Sequence, residues 1–322
     1  KIGDIAIDDV KSFGKLTKTE LLKCISLPFS AKAEMKKLHE AFLKNLKEKI
    51  LPNYASDIYK GKGIVMVAGG KFTLIGMPAI KAVRENGDKN IPIEIMIPPD
   101  NNGESAFCEE VLPELDPTGL SRCVYMEKLF DETTFENVQG YQLKSLALLA
   151  SSFEEVLLLD ADNYVINSIS NIFEATPLKE RGLVLWPDYW RRLHHPSLYE
   201  ITDLGDEFDE QVRFSVDNVS PTDVYKLVDV NDVPFHDLKG TIPDGSTESG
   251  QLLVNKSKHL DTIILSLYYN YNGPSHYYPL LGQVYAGEGD KDTFALAAKV
   301  LHSGDSKESY YQVKTPVKAM GH

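Results

Sequence analysis

The chain has 322 residues, 43% of them hydrophobic and 25% charged, ordinary for a globular protein and enough for one large α/β domain or two smaller ones. Its formal net charge of -13 argues against non-specific binding to nucleic acid, which needs basic surface. No apolar run approaches the roughly 20 residues of a membrane span, and three cysteines are too few for a disulfide framework.

The chain begins at Lys1, not Met, as expected of a trimmed or processed form with any membrane anchor upstream. Residues 32–50 hold no Gly or Pro, and Leu38, Phe42, Leu46 and Ile50 recur at helical spacing. They predict an amphipathic helix in an N-terminal appendage, residues 1–60, packed on the main body. The pattern then changes. Ile64–Val67 is a short buried strand broken by Gly69-Gly70, with a helix over about 73–86 and a strand at 91–98. A helical piece near 104–112, a strand at 122–126 and a helix over 139–151 follow. Val156–Leu159 is an apolar strand that runs straight into Asp160-Ala161-Asp162. Further on, 182–190 and 250–256 read as strands, and 257–271 and 286–301 as helix-bearing stretches. Alternating strands and helices predict a Rossmann-like, mostly parallel sheet flanked by helices. Residues 202–246 are acidic, polar and Pro-containing, as a lid or binding loop would be. Cys108 and Cys123 can pair in an oxidising compartment, and the spacing leaves that open. Asn218 and Asn255 begin glycosylation patterns, weak ones by themselves.

In parallel α/β sheets, ligands sit beyond the carboxyl ends of strands. Three such ends carry unusual chemistry here. Ala68-Gly69-Gly70-Lys71 allows close approach of backbone to a ligand and opens a helix N-terminus, although an ordinary strand-to-helix turn has the same composition. Asp160 and Asp162 are two apart, so both carboxylates converge on one face, and their oxygens suit Mg²⁺ or Mn²⁺. A calcium loop fails, because Tyr164 and Val165 occupy its fifth and sixth positions. Asp162 or Asn163 could instead end the strand as a turn residue. Gly287 to Asp292 is polar and turn-forming, and Asp292 or Thr293 is suited to cap the next helix. Thr247-Glu248-Ser249-Gly250-Gln251 precedes a strand. Lys144 sits on the apolar helix before the acidic strand, where a lone lysine usually snorkels. Trp186, Asp188, Tyr189, Trp190, Arg191 and Arg192 form an aromatic and charged cluster suited to sugar rings, or to a packed loop holding an Arg–Asp pair. The alternatives in other classes are a dehydrogenase, which the incomplete glycine fingerprint disfavours, and a non-catalytic carbohydrate-binding protein.

The blocks GYQLKSLALLASSFEEVLLLDADN, LVLWPDYWRR, PFHDLKGTIPDGSTESGQLLVNK, LYYNYNGPSHYYPLL and AGEGDKDTF resemble, in order, those of the fungal Golgi Mnn-type α-mannosyltransferase family, over about residues 61–314. They are most similar to its α-1,2 branch, with the α-1,3 branch as competitor. The resemblance implies a GT-A type glycosyltransferase fold over 61–322, extending further at its C-terminal end. It also implies a GDP-mannose donor, retention of configuration, and a type II membrane protein of the Golgi lumen. The acceptor would be the α-1,6-linked mannan backbone of cell-wall N-glycans. Asp160 and Asp162 match the family's DxD motif as ligands of Mn²⁺. A late His completes the metal site in many such folds, and His322 is the candidate by position. On this reading Ala68, Gly69, Gly70, Lys71, Lys144, Asp160, Ala161, Asp162, Gly250, Gln251, Lys291 and Asp292 border the donor. Asp290 and Glu248 are the catalytic candidates, and Trp186, Asp188, Trp190 and Arg191 hold acceptor sugar. No nucleic acid is expected as a partner, and a membrane only through the upstream anchor.

Overall fold

The computed structural model describes residue 5 and residues 10–99, 104–205, 207–214, 229–286, 289–302 and 309–318. Asn218, Gly287, Glu288, His322 and part of the 202–246 stretch lie outside the described residues. Seven strands, β1 (Lys62–Val67), β2 (Ile93–Ile97), β3 (Ser121–Tyr125), β4 (Glu155–Leu159), β5 (Leu183–Pro187), β6 (Thr247–Asn255) and β7 (Tyr311–Gln312), form one sheet in the order β3-β2-β1-β4-β6-β5-β7. Neighbours pair in parallel except at β6, which runs antiparallel to both β4 and β5. The sheet is therefore mostly parallel, as the alternating pattern predicts. The reversal of β6 has a consequence for chemistry: the start of β6 lies beside the end of β4.

Alternation along the strands sorts side chains into two cores. Val65, Val156, Leu158, Leu252 and Val254 face one side, under the helices α1 (Phe29–Asn45), α3 (Leu143–Ala150), α4 (Lys256–Tyr271) and α5 (Thr293–His302). Ile64, Met66, Leu157, Leu159 and Leu253 face the other, under α2 (Lys71–Ala82). The described residues before β1 share the first of these cores, through Leu16, Leu21, Met35 and Leu46.

Helix α1 exists as its spacing predicts, but its buried seam is shifted. Met35, His39 and Leu46 are buried and Phe42 packs beside them, while Leu38 is exposed. The shift follows from His39, whose Nε2 lies 2.8 Å from the Tyr269 hydroxyl and whose ring stacks on Tyr269 at 5.7 Å. A polar ring with a buried partner thus takes a core position that a hydrophobic pattern leaves blank. The Cys108–Cys123 pair is a disulfide, with Cα atoms 6.0 Å apart, tying β3 to the helical segment over 104–115.

Candidate active site

The apolar run Val156–Leu159 is the buried strand β4, and Asp160 follows at its carboxyl end. The antiparallel β6 brings its first residues to the same place, where the Asp160 amide donates to the Gly250 carbonyl at 2.7 Å. Asn163 closes the turn, its side-chain amide donating to the same carbonyl at 2.6 Å. From the layer below, α3 delivers Lys144, which is buried rather than snorkelling. Its ammonium donates to Asp160 Oδ2 at 2.8 Å and to the Ser249 carbonyl and hydroxyl, both at 3.2 Å. Asp290, just before α5, completes the cluster. Its Oδ1 lies 3.7 Å from the Lys144 ammonium and accepts from the Ser249 hydroxyl at 2.9 Å. Its Oδ2 is buried without a hydrogen-bond partner.

The electrostatics follow from burial and from count. Burial pushes the Asp290 carboxyl up to about 6. Burial raises Asp160 as well, against the pull of Lys144. Burial alone would lower Lys144, but Asp290 and Asp160 outweigh it and hold the ammonium above its ordinary value. One ammonium thus faces two carboxylates and feels a third in Glu248, while Asp162, exposed two residues beyond Asp160, adds its negative charge beside Asp160. Two carboxylates two residues apart at this strand end, one of them exposed, are oxygen ligands of the kind a hard divalent cation takes. Lys144 takes Asp160 Oδ2, so Asp160 Oδ1 and Asp162 are the oxygens that would hold the ion.

The rest of the proposed donor border falls into two groups. Ala68 follows β1, its amide donating to the Met96 carbonyl of β2 at 2.9 Å, and Gly69 and Gly70 take φ of 113° and 53°, conformations a side chain rarely adopts. Lys71 is exposed at the start of α2. The same helix presses on the acidic turn, since a Cβ added at Gly76 would lie 3.7 Å from the Ala161 Cβ. Glu248 turns back on its own strand, Oε1 accepting from the amides of Ser249 at 2.9 Å and Gly250 at 2.6 Å. Gln251 and Trp186 line a cleft of about 240 Å³ with Asn163 and Tyr164, beside the acidic turn. Asp292 lies beneath this surface. Its Oδ1 meets Arg192 at 2.6 Å and the Thr247 amide at 2.8 Å, and its Oδ2 meets His194 at 3.0 Å. Burial would raise Asp292, but Arg192 and His194 outweigh it and hold the carboxyl far below the usual range.

The aromatic and charged cluster of 186–192 does not stay together. Trp186 packs on the α2 side of the sheet and Trp190 on the other. Asp188 accepts from Lys291 at 2.7 Å, and Lys291 also donates to the Ala286 carbonyl. Arg191 pairs with Asp244 at 3.5 Å and lies 4.4 Å over the Phe13 ring. Three residues hold the site in shape: Ser249 and His194, given no role by sequence reasoning, and Arg192, which takes the Arg–Asp pairing of the two readings offered for its cluster. Their partners are not legible in the sequence, because each acts on a carboxylate 41 to 100 positions away. Tyr141 is a further neighbour, exposed, with its ring 3.3 Å from where a Cβ at Gly289 would sit and 6.0 Å from the Lys144 ammonium.

Comparison with known proteins places the chain in a family. The α-1,2-mannosyltransferase MNN2 of Saccharomyces cerevisiae is 45% identical over 96% of this chain and 50% of its own length. The α-1,2-mannosyltransferase MNN21 of Candida albicans is 42% identical over 90% and 44%. The chain spans about half the length of the relatives it matches. Among solved structures, the mannosyltransferase Ktr4p from S. cerevisiae aligns at 12% identity with a TM-score of 0.42, covering 90% of this chain and 81% of its own. An active-site mutant of LgtC aligns at 15% and 0.43, covering 78% and 72%. The Mannosyl_trans3 family, described as "Mannosyltransferase putative", matches residues 61–322. The chain belongs to this mannosyltransferase family.

Proposed function

We propose that the chain catalyses transfer of mannose from GDP-mannose to the α-1,6-linked backbone of cell-wall mannan, forming an α-1,2 linkage with retention of configuration. The observation that carries this reading is the surplus of carboxylates around Lys144: Asp160 and Asp290 in its reach, Asp162 beside them and one Asp290 oxygen unpartnered. Identity of 35–45% with relatives named as α-1,2-mannosyltransferases supports the linkage. Mn²⁺ held by Asp160 and Asp162 would neutralise charge on the donor diphosphate.

The residues around it have separate tasks on this reading. Lys144 holds Asp160 in place and supplies a fixed positive charge where the leaving group gains negative charge. Gly69 and Gly70 leave room for the nucleotide beside β1, and Gly250 leaves room beside Asp160. Glu248, with one oxygen held by two backbone amides, directs its other oxygen to the sugar or acceptor hydroxyl. Asp290, kept partly protonated by burial, is suited to hold a sugar hydroxyl or to take a proton from one. Trp186 offers an aromatic edge to acceptor sugar in the cleft with Gln251, while Asp188 and Arg191 brace the surrounding loop through Lys291 and Asp244. Asp292 supports the donor border from below. The Cys108–Cys123 disulfide agrees with an oxidising compartment such as the Golgi lumen. Among the described residues no helix is long and apolar enough to cross a membrane, and on this proposal an upstream segment supplies the anchor.

Incubation with GDP-mannose, Mn²⁺ and an α-1,6-mannan acceptor, followed by linkage analysis, tests the proposal. New α-1,2-linked mannose supports it. No transfer, or calorimetry in which UDP binds as well as GDP, overturns it.

A further inference from the structure

A second cluster of ligating side chains lies at the other end of the sheet. Asp261 and Glu154 line one cavity of about 510 Å³. Glu154 precedes β4, whereas Asp160 follows it, and five strand residues separate the two ends by about 17 Å. Helix α5 spans the same distance, starting three residues after Asp290 and ending at His302.

There His259, Asp261 and His302 each direct one ligand atom to a common point, all three within 4.8 Å of one another. The Thr262 hydroxyl shows the convergence. It lies 2.9 Å from His259 Nδ1 and 3.3 Å from His302 Nε2. His302 Nε2 is also 3.4 Å from Asp261 Oδ2. The outer atoms of two of these groups are fixed. His259 Nε2 lies 2.7 Å from the Arg181 carbonyl, which can only accept, so Nε2 carries the proton and the Nδ1 lone pair points inward, where it accepts from the Thr262 hydroxyl that an ion would displace. Asp261 Oδ1 accepts from the Thr262 amide at 2.7 Å, leaving Oδ2 on the inner side. A histidine whose far nitrogen donates to a backbone carbonyl is the arrangement that orients metal-bound imidazoles. Residue His259 itself departs from helical geometry, with φ -132° and ψ 24° inside α4.

We propose that His259 Nδ1, Asp261 Oδ2 and His302 Nε2 bind a zinc ion that clasps the end of α5 to the start of α4. Two imidazoles and one carboxylate suit Zn²⁺ better than the Mg²⁺ or Mn²⁺ fitted by an all-oxygen site. Bonds of about 2.0–2.2 Å would draw the three atoms together, a small movement for His302 at a helix terminus, with water in the fourth position. His302 and Asp261 are each about a quarter exposed, so an ion can enter.

The test uses the whole chain, freed of metal by chelation. Titration with Zn²⁺ against a chromophoric competitor should give a tight site in the wild type that weakens at least tenfold in H302A. Zn²⁺ should raise the melting temperature of wild type and of D162N but not of H302A. Data collected at the zinc edge from Zn²⁺-soaked crystals should place an anomalous peak between the three side chains. If H302A cannot be purified folded, that map on wild type decides alone. No peak at the cluster, unchanged affinity in H302A, or loss of the stabilisation in D162N would each overturn the proposal. Because these readouts need no donor or transfer, failure of the mannosyltransferase reading leaves them intact.

Discussion

Lys144 carries one positive charge between Asp160, at 2.8 Å, and Asp290, at 3.7 Å, in a pocket it shares with Ser249. Removing the ammonium strands two carboxylates close together. Breaking a buried pair typically costs about 3–5 kcal/mol. Lys144→Met should therefore lower urea-measured stability by about that much, less whatever Asp290 recovers by taking a proton, and abolish transfer. A variant as stable and active as wild type would remove Lys144 from the site's electrostatics. Gly250 tests space rather than charge. A Cβ there would lie 3.0 Å from Asn163 Nδ2, 3.1 Å from Glu248 Oε1 and 3.4 Å from Asp160 Oδ2. The Asn163 and Glu248 atoms must give by a few tenths of an ångström, and both lie beside Asp160 at the proposed site. Gly250→Ala should keep stability within about 2 kcal/mol while kcat/KM falls at least tenfold. Unchanged kinetics would mean that Gly250 does not face the reacting groups.

The disulfide joins two elements at the sheet's edge, β3 and the helical segment over 104–115, and it closes a loop with a sequence separation of 15. Loop-closure entropy for that length is about 3 kcal/mol in the unfolded chain. Cys123→Ser should therefore lower stability by about 2–4 kcal/mol with transfer activity retained, since neither cysteine borders the site. A loss below about 0.5 kcal/mol would show that strain or residual structure cancels the entropy. At this scale much of the fold is readable from the chain. β1, β2, β4 and α3 stand where periodicity and glycine punctuation put them, because each is short, apolar and bounded by turn residues. The start of β6 is not readable in that way. Its polar opening TESGQ looks like a loop until β4 and β5 pair with it. The direction of β6 is invisible too, because parallel and antiparallel strands share one pattern when both faces are covered. The carboxylate pair Asp160 and Asp162 is legible from two-residue spacing alone. The burial of Lys144, and the Arg192–Asp292–His194 network, depend on long-range packing that no local pattern encodes.

At the scale of the whole molecule, five histidines among the described residues are buried and held neutral: His39, His194, His195, His236 and His259. Burial lowers each of them, His39 to about 4, from an ordinary value near 6.5. As pH falls below about 7, the unfolded chain takes up protons at these positions and the folded chain does not. The unfolded state then binds more protons, so stability falls with pH, by up to about 1.4 kcal/mol per unit for each histidine. Asp290, raised to about 6, acts in the other direction, because the fold binds its proton first. Asp160 and Asp244, raised mainly by burial, add to that opposition at lower pH. Asp116 and Asp292, both depressed, matter only below about 4. The histidines therefore dominate between about pH 7 and 6, before the carboxyls oppose them fully. Urea unfolding in chelator should show stability falling by at least about 2 kcal/mol from pH 7.5 to 5.5, and His39→Gln should flatten that slope by removing one titrating ring. A flat profile over this range would mean that the imidazoles take up protons as readily folded as unfolded, against the burial that encloses all five.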